Sequence, residues 1–96
     1  MAPTAMATIG YAAGEGGRMA VKAYVLIQTE VGRSAQVSAD VARLAGVISA
    51  LDVTGPYDVI VQVEADSIDD LGKMVVSRMQ LTDGITRTLT CPIVNL

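Results

Sequence analysis

The sequence has no histidine, no phenylalanine and no tryptophan; its aromatics are three tyrosines. Without histidine it lacks the commonest metal ligand and the usual general base near neutral pH. No metal or cofactor site is expected. A lone cysteine, Cys91, excludes an internal disulfide, and with no candidate base nearby it reads as a small core or edge residue. No apolar run approaches the roughly 20 residues that span a bilayer, and the start of the chain lacks the basic segment of a signal peptide. These features predict a cytoplasmic protein with no membrane contact. Lysine and arginine number seven and are scattered, so no direct contact with nucleic acid is expected.

What is present is aliphatic. Of the 96 residues 51% are hydrophobic, and the formal charge is −3. A chain of this length is one domain with a small core. So much Val, Ile, Leu, Ala and Met is hard to hide in one copy, which favours a subunit interface. Residues 1–18, rich in Ala, Gly and Thr, read as a flexible tail before a domain at 19–96.

Residues 21–29 alternate as a strand: Ala23, Val25 and Ile27 on one side, Tyr24, Leu26 and Gln28 on the other. Both sides carry apolar groups, so both are expected to be covered. Residues 33–45 read as a helix, with Gly32 or Ser34 at its start, Val37, Val41 and Leu44 on one face and Gly46 ending it. Residues 47–54 form a second strand, with Val47, Ser49, Leu51 and Val53 sharing a side, and residues 58–64 a third. A second helix starts at Ser67 with Asp69 and Asp70 in its first turn; Ile68, Leu71, Val75 and Met79 form its buried stripe. A last strand spans 85–91, where Ile85, Arg87, Leu89 and Cys91 alternate with Thr86, Thr88 and Thr90. Arg87 is expected to pair with Glu64 or Asp52. Pro92 limits pairing at the strand's end. The order βαββαβ predicts an α+β, ferredoxin-like fold: a four-stranded antiparallel sheet with two helices on one face. The other face would meet a second copy, giving a dimeric α+β barrel.

Between the second and third strands lies Thr54-Gly55-Pro56-Tyr57-Asp58. Pro56 presets a tight turn and pushes Gly55 towards extended geometry. A bare glycine N–H beside a carboxylate suits the two charged groups of a zwitterionic small molecule. The same residues also make an ordinary hairpin turn in which Asp58 caps its own backbone.

Gly46-Val47-Ile48 leading to Thr54-Gly55-Pro56-Tyr57-Asp58-Val59-Ile60-Val61, with Thr86-Arg87-Thr88-Leu89-Thr90, resembles the ligand-binding domain of the Lrp/AsnC family of transcriptional regulators. The resemblance covers residues 21–96. It implies binding of an amino acid or related small effector, a homodimer, and assembly into an octamer-like ring. It implies that Gly55, Pro56, Tyr57 and Asp58 contact the effector's amino and carboxyl groups, Asp58 holding the ammonium, with Thr86, Thr88 and Thr90 near the same site. The threonines serve equally as exposed strand formers, and Tyr57 as interface packing. Full-length members carry a helix-turn-helix domain first. Residues 1–18 are too short and glycine-rich for one, so the chain resembles the stand-alone form, with co-assembly with full-length regulators a further expectation. Two alternatives stand beside it. A monooxygenase-like enzyme of the dimeric barrel type is disfavoured by the missing histidine and tryptophan. A purely structural oligomer differs only in binding nothing.

Overall fold

The computed structural model describes residues 20–94; the expected tail at 1–18 lies outside them. The elements are β1 (Val21–Thr29), α1 (Ser34–Ala42), β2 (Val47–Asp52), β3 (Val59–Ala65), α2 (Ile68–Met74) running on into a π turn (Val75–Met79), and β4 (Ile85–Pro92). The sheet order is β2-β3-β1-β4 and every pairing is antiparallel. This is the expected ferredoxin-like arrangement.

Alternation in β1 decides where the core lies. Ala23, Val25 and Ile27 are fully buried, and they stand opposite Val63, Val61 and Val59 of β3, which are equally buried. Val37 and Val41 of α1 and Leu71, Met74, Val75 and Met79 of α2 complete the cluster. Each valine-sized side chain removed from water contributes about 1.5–3 kcal/mol. Among the described residues the helices cover only this face. On the opposite face Tyr24 is 43% exposed, so the expected covering of both faces does not come from the described residues.

Three local expectations change. Neither Gly32 nor Ser34 caps α1: Arg33 occupies the cap position without a side-chain hydrogen bond, and Ser34 is the first helical residue. The helix also ends at Ala42, and tighter bonds from Arg43 N to Asp40 O and Leu44 N to Val41 O carry the chain to Gly46. In β2 the register slips between Val47 and Ser49, so Val47 packs on the core with Ala50, while Ser49 and Leu51 stand opposite Gln62 and Ile60 on the other face. An extra residue in one strand reverses which side its neighbours take.

In α2, Ser67 does cap the helix, accepting from Asp70 N at 3.0 Å. The buried stripe, however, is Leu71, Met74, Val75 and Met79, while Ile68 is 55% exposed. A regular helix counted from Leu71 would present 74, 75 and 78 to the core, and residue 78 is an arginine. The π turn takes up one extra residue, shown by the bond from Gln80 N to Val75 O at 2.8 Å. Met79 thereby takes the core position and Arg78 turns out to solvent.

Candidate functional site

The loop at residues 53–58 is pinned to the end of β1. Val53 N donates to Asp58 O at 2.9 Å, closing the hairpin, and Asp58 N donates to Ile27 O at 2.8 Å. Gln28 Nε2 donates to Pro56 O at 2.9 Å. Asp58 Oδ2 accepts from Thr29 N at 2.8 Å and from Thr29 Oγ1 at 3.3 Å. Asp58 therefore caps the last N–H of a neighbouring strand rather than its own turn.

Gly55 has φ +128°, a region that side-chain-bearing residues avoid, and a Cβ there would meet nothing within 4 Å. Its φ is thus not the extended geometry expected of a residue before proline. The bare backbone of the turn faces open space, with the half-buried Tyr57 and Asp58 next in the chain.

The threonines of β4 divide. A register shift between Gln28 and Thr29 leaves Ile85 packed on the core and brings Thr86 Oγ1 to Gln28 O, to which it donates at 3.2 Å. Thr86 thus joins the loop cluster through Gln28 of β1. Thr88 and Thr90 stand opposite the buried Ile27 and Val25, on the helix side of the sheet, and Thr88 Oγ1 accepts from Gln80 Nε2 at 3.0 Å. Ile85 therefore does not share a side with Arg87 and Leu89 as alternation predicts.

Arg87 pairs with neither Glu64 nor Asp52. Its strand partner is Gln28, while Glu64 stands opposite Lys22 and Asp52 opposite Val59. Cys91 is exposed opposite Tyr24 on the edge strand, not in the core. Past Pro92 pairing continues by one bond, Ile93 N to Lys22 O at 2.9 Å.

Gln28 and Thr29 organise this cluster, and sequence reasoning missed them. Their signal was faint: two polar residues ending an otherwise apolar strand. Also missed was Arg33, whose guanidinium reaches Asp83 at 2.7 Å and Glu30 at 3.4 Å, and whose Nε donates to Gln36 at 2.9 Å. The hydrogen bond to Asp83, and then the charge of that carboxylate, hold Arg33 above the ordinary arginine value, so it is a cation at every working pH. These bonds and Glu30 N to Gly84 O at 2.8 Å tie the start of α1 to the start of β4 beside the loop.

An open recess of about 510 Å³ lies where β3 ends and α2 passes; Gly46, Glu64, Asp66, Asp70, Lys73 and Arg78 are among its lining. Among the described residues no group of His, Cys, Asp or Glu could hold a metal ion, and no helix is long and apolar enough to cross a membrane.

The domain is ferredoxin-like, with a polar cluster on an exposed loop at the end of its sheet. The chain belongs to the Lrp/AsnC ligand-binding domain family, whose model matches residues 22–95. Among solved structures it is similar to TTHA0845 from Thermus thermophilus, with 28% identity, TM-score 0.75, and 79% of this chain and 95% of that one covered. It is similar to E. coli AsnC at 25% identity and TM-score 0.74 over 79% of this chain, and it spans about half (52%) of AsnC's length. It shares its fold with transcriptional regulator NMB0573 from Neisseria meningitidis, solved as an L-Met complex, at 16% identity and TM-score 0.69, covering 78% of this chain and 50% of that one. No curated protein matches the sequence significantly.

Proposed function

We propose that the domain senses an α-amino acid or a related small effector at the loop of residues 55–58 and transmits binding through the assembly of its copies. The observation that carries this reading is the loop itself. A glycine backbone at φ +128° faces open space, and the adjacent carboxylate is held in place by Thr29. Gly55 and Tyr57 offer backbone donors to the effector's carboxylate and Asp58 an anion to its ammonium. Pro56 stiffens the turn and Thr86 buttresses β1 behind it. Thr88 and Thr90 take a lesser part, facing the helices. The L-Met complex of the Neisseria regulator supports an amino acid as the effector. The matched region is the ligand-binding half of such regulators, which supports a reading without catalysis or DNA contact; we infer a cytoplasmic domain that works beside full-length regulators of its family.

Assembly rests on the open sheet face. Leu51, Ile60, Leu26 and Leu89 form one aliphatic row across all four strands. Leu51 is 60% exposed and Leu89 46%. A twofold partner laying its own row on this one covers both, and dimers then join into a ring.

The test is a thermal-shift screen against the twenty amino acids with Asp58→Asn alongside. Asparagine keeps an oxygen for Thr29 but loses the charge, so the variant is expected to melt within about 1 kcal/mol of the parent. An effector at a hundred times its Kd raises stability by about 2.7 kcal/mol in the parent, and that shift vanishes in the variant. A shift that survives Asp58→Asn makes Asp58 a turn residue only. No shift with any amino acid leaves the structural oligomer.

A further inference from the structure

The recess beside α2 lies away from the loop, and none of the residues proposed to hold the effector lines it. Its floor is rigid. Gly46 is bonded to β3 through Glu64 N, which donates to Gly46 O at 2.8 Å. A Cβ on Gly46 would come within 2.9 Å of Glu64 O and 3.0 Å of Met74 Sδ. Any side chain there would collide with the floor.

The helix side is polarised. Asp70 lies at one end, Lys73 one turn on, and Ser77 and Arg78 two turns on; all four border the recess. Among the described residues no ion pair joins Asp70 to Lys73 or Arg78, although opposite charges share one concavity. Arg78 reaches this border because the π turn removes it from the core stripe, and such turns are frequent at functional sites.

We propose that this recess is a second binding site, for a short zwitterionic peptide lying along α2. Its ammonium sits at Asp70 and its terminal carboxylate at Ser77 and Arg78, with Lys73 beside the peptide between them. At 1.5 Å per residue, Lys73 lies about 4.5 Å and Ser77–Arg78 about 11 Å along the axis from Asp70. A free α-amino acid carries both charges on one carbon and cannot bridge that span. Two or three residues, at about 3.3–3.6 Å each, can.

The experiment is amide NMR of the full chain titrated with Ala-Ala, Ala-Ala-Ala, L-alanine and N-acetyl-Ala-Ala-amide. The free peptides are expected to shift the amides of Gly46, Lys73, Ser77 and Arg78. L-Alanine and the blocked peptide are expected to leave them still. The double variant K73Q/R78Q, two exposed side chains whose loss leaves the core intact, is expected to weaken the peptide about tenfold or more. Asp58→Asn is expected to leave peptide binding unchanged, which separates this site from the loop. Absence of peptide shifts at these amides, equal binding of the blocked peptide, or equal affinity in K73Q/R78Q overturns the proposal.

Discussion

The same strands build two unlike faces. On the helix side, β1 and β3 face each other through Ala23–Val63, Val25–Val61 and Ile27–Val59, all six fully buried. One residue along in each case, the other side carries Tyr24–Gln62, Leu26–Ile60 and the neighbouring Leu89 and Cys91. The covered face is small and β-branched, and the chain's own helices seal it. The open face has one aliphatic row with polar rows on either side: Tyr24 and Gln62 beyond it in one direction, Gln28 and Arg87 in the other. An apolar centre with a polar rim is the anatomy of an interface, whereas uniform valine is that of an interior. Neighbouring residues of one strand thus answer to two different surroundings.

Substituting one residue on each face should separate them. Val25→Asp places a carboxylate where exposure is zero and nothing can pair with it. Burying an unpaired charge costs several kcal/mol against a typical total of about 5–15 kcal/mol, so the variant is expected to show no cooperative thermal transition by circular dichroism. Leu26→Glu alters the next residue along, on the open side. Its strand spectrum is expected to persist while the mass by light scattering falls to that of one 10.0 kDa chain. A Leu26→Glu variant that keeps the parent's mass would show that copies meet elsewhere.

How far the sequence could be read follows from what breaks regularity. β1 has no irregularity along Val21–Gln28, so its alternation was legible to the residue. The slips at Val47/Ser49 and Gln28/Thr29 each cost one residue of phase and leave no mark in composition; they misplaced Val47 and Ile85. The Gly-Pro turn was legible because proline fixes its own φ and glycine admits the positive φ that side chains avoid. The partner of Asp58 was not, because Thr29 lies 29 residues earlier and meets it only once the sheet forms. The threonines of β4 looked alike by alternation, and only the register divides Thr86 from Thr88 and Thr90.

The smallest effect expected here tests why α2 contains a π turn. Removing Val76, which is 60% exposed, leaves Leu71, Met74, Val75 and Met79 at the spacing i, i+3, i+4 and i+7 of a regular helix. The covered face would keep its four side chains, and the helix would regain i→i−4 bonding through its last turn. Stability is therefore expected to be equal to the parent's or higher by up to about 1 kcal/mol, which for a domain of this size is at most about 4–8 °C in Tm. The same deletion shortens the spacing of Ser77 from Lys73 from four residues to three, and so alters the recess without disturbing the core. A melting temperature at or above the parent's means that the covered face does not need the extra residue, and that its place is explained on the outer side of the helix. A loss of more than about 2 kcal/mol would mean the reverse: that the π turn is how the covered face obtains its fit around Met79, and that the exposed position of Arg78 is only its by-product.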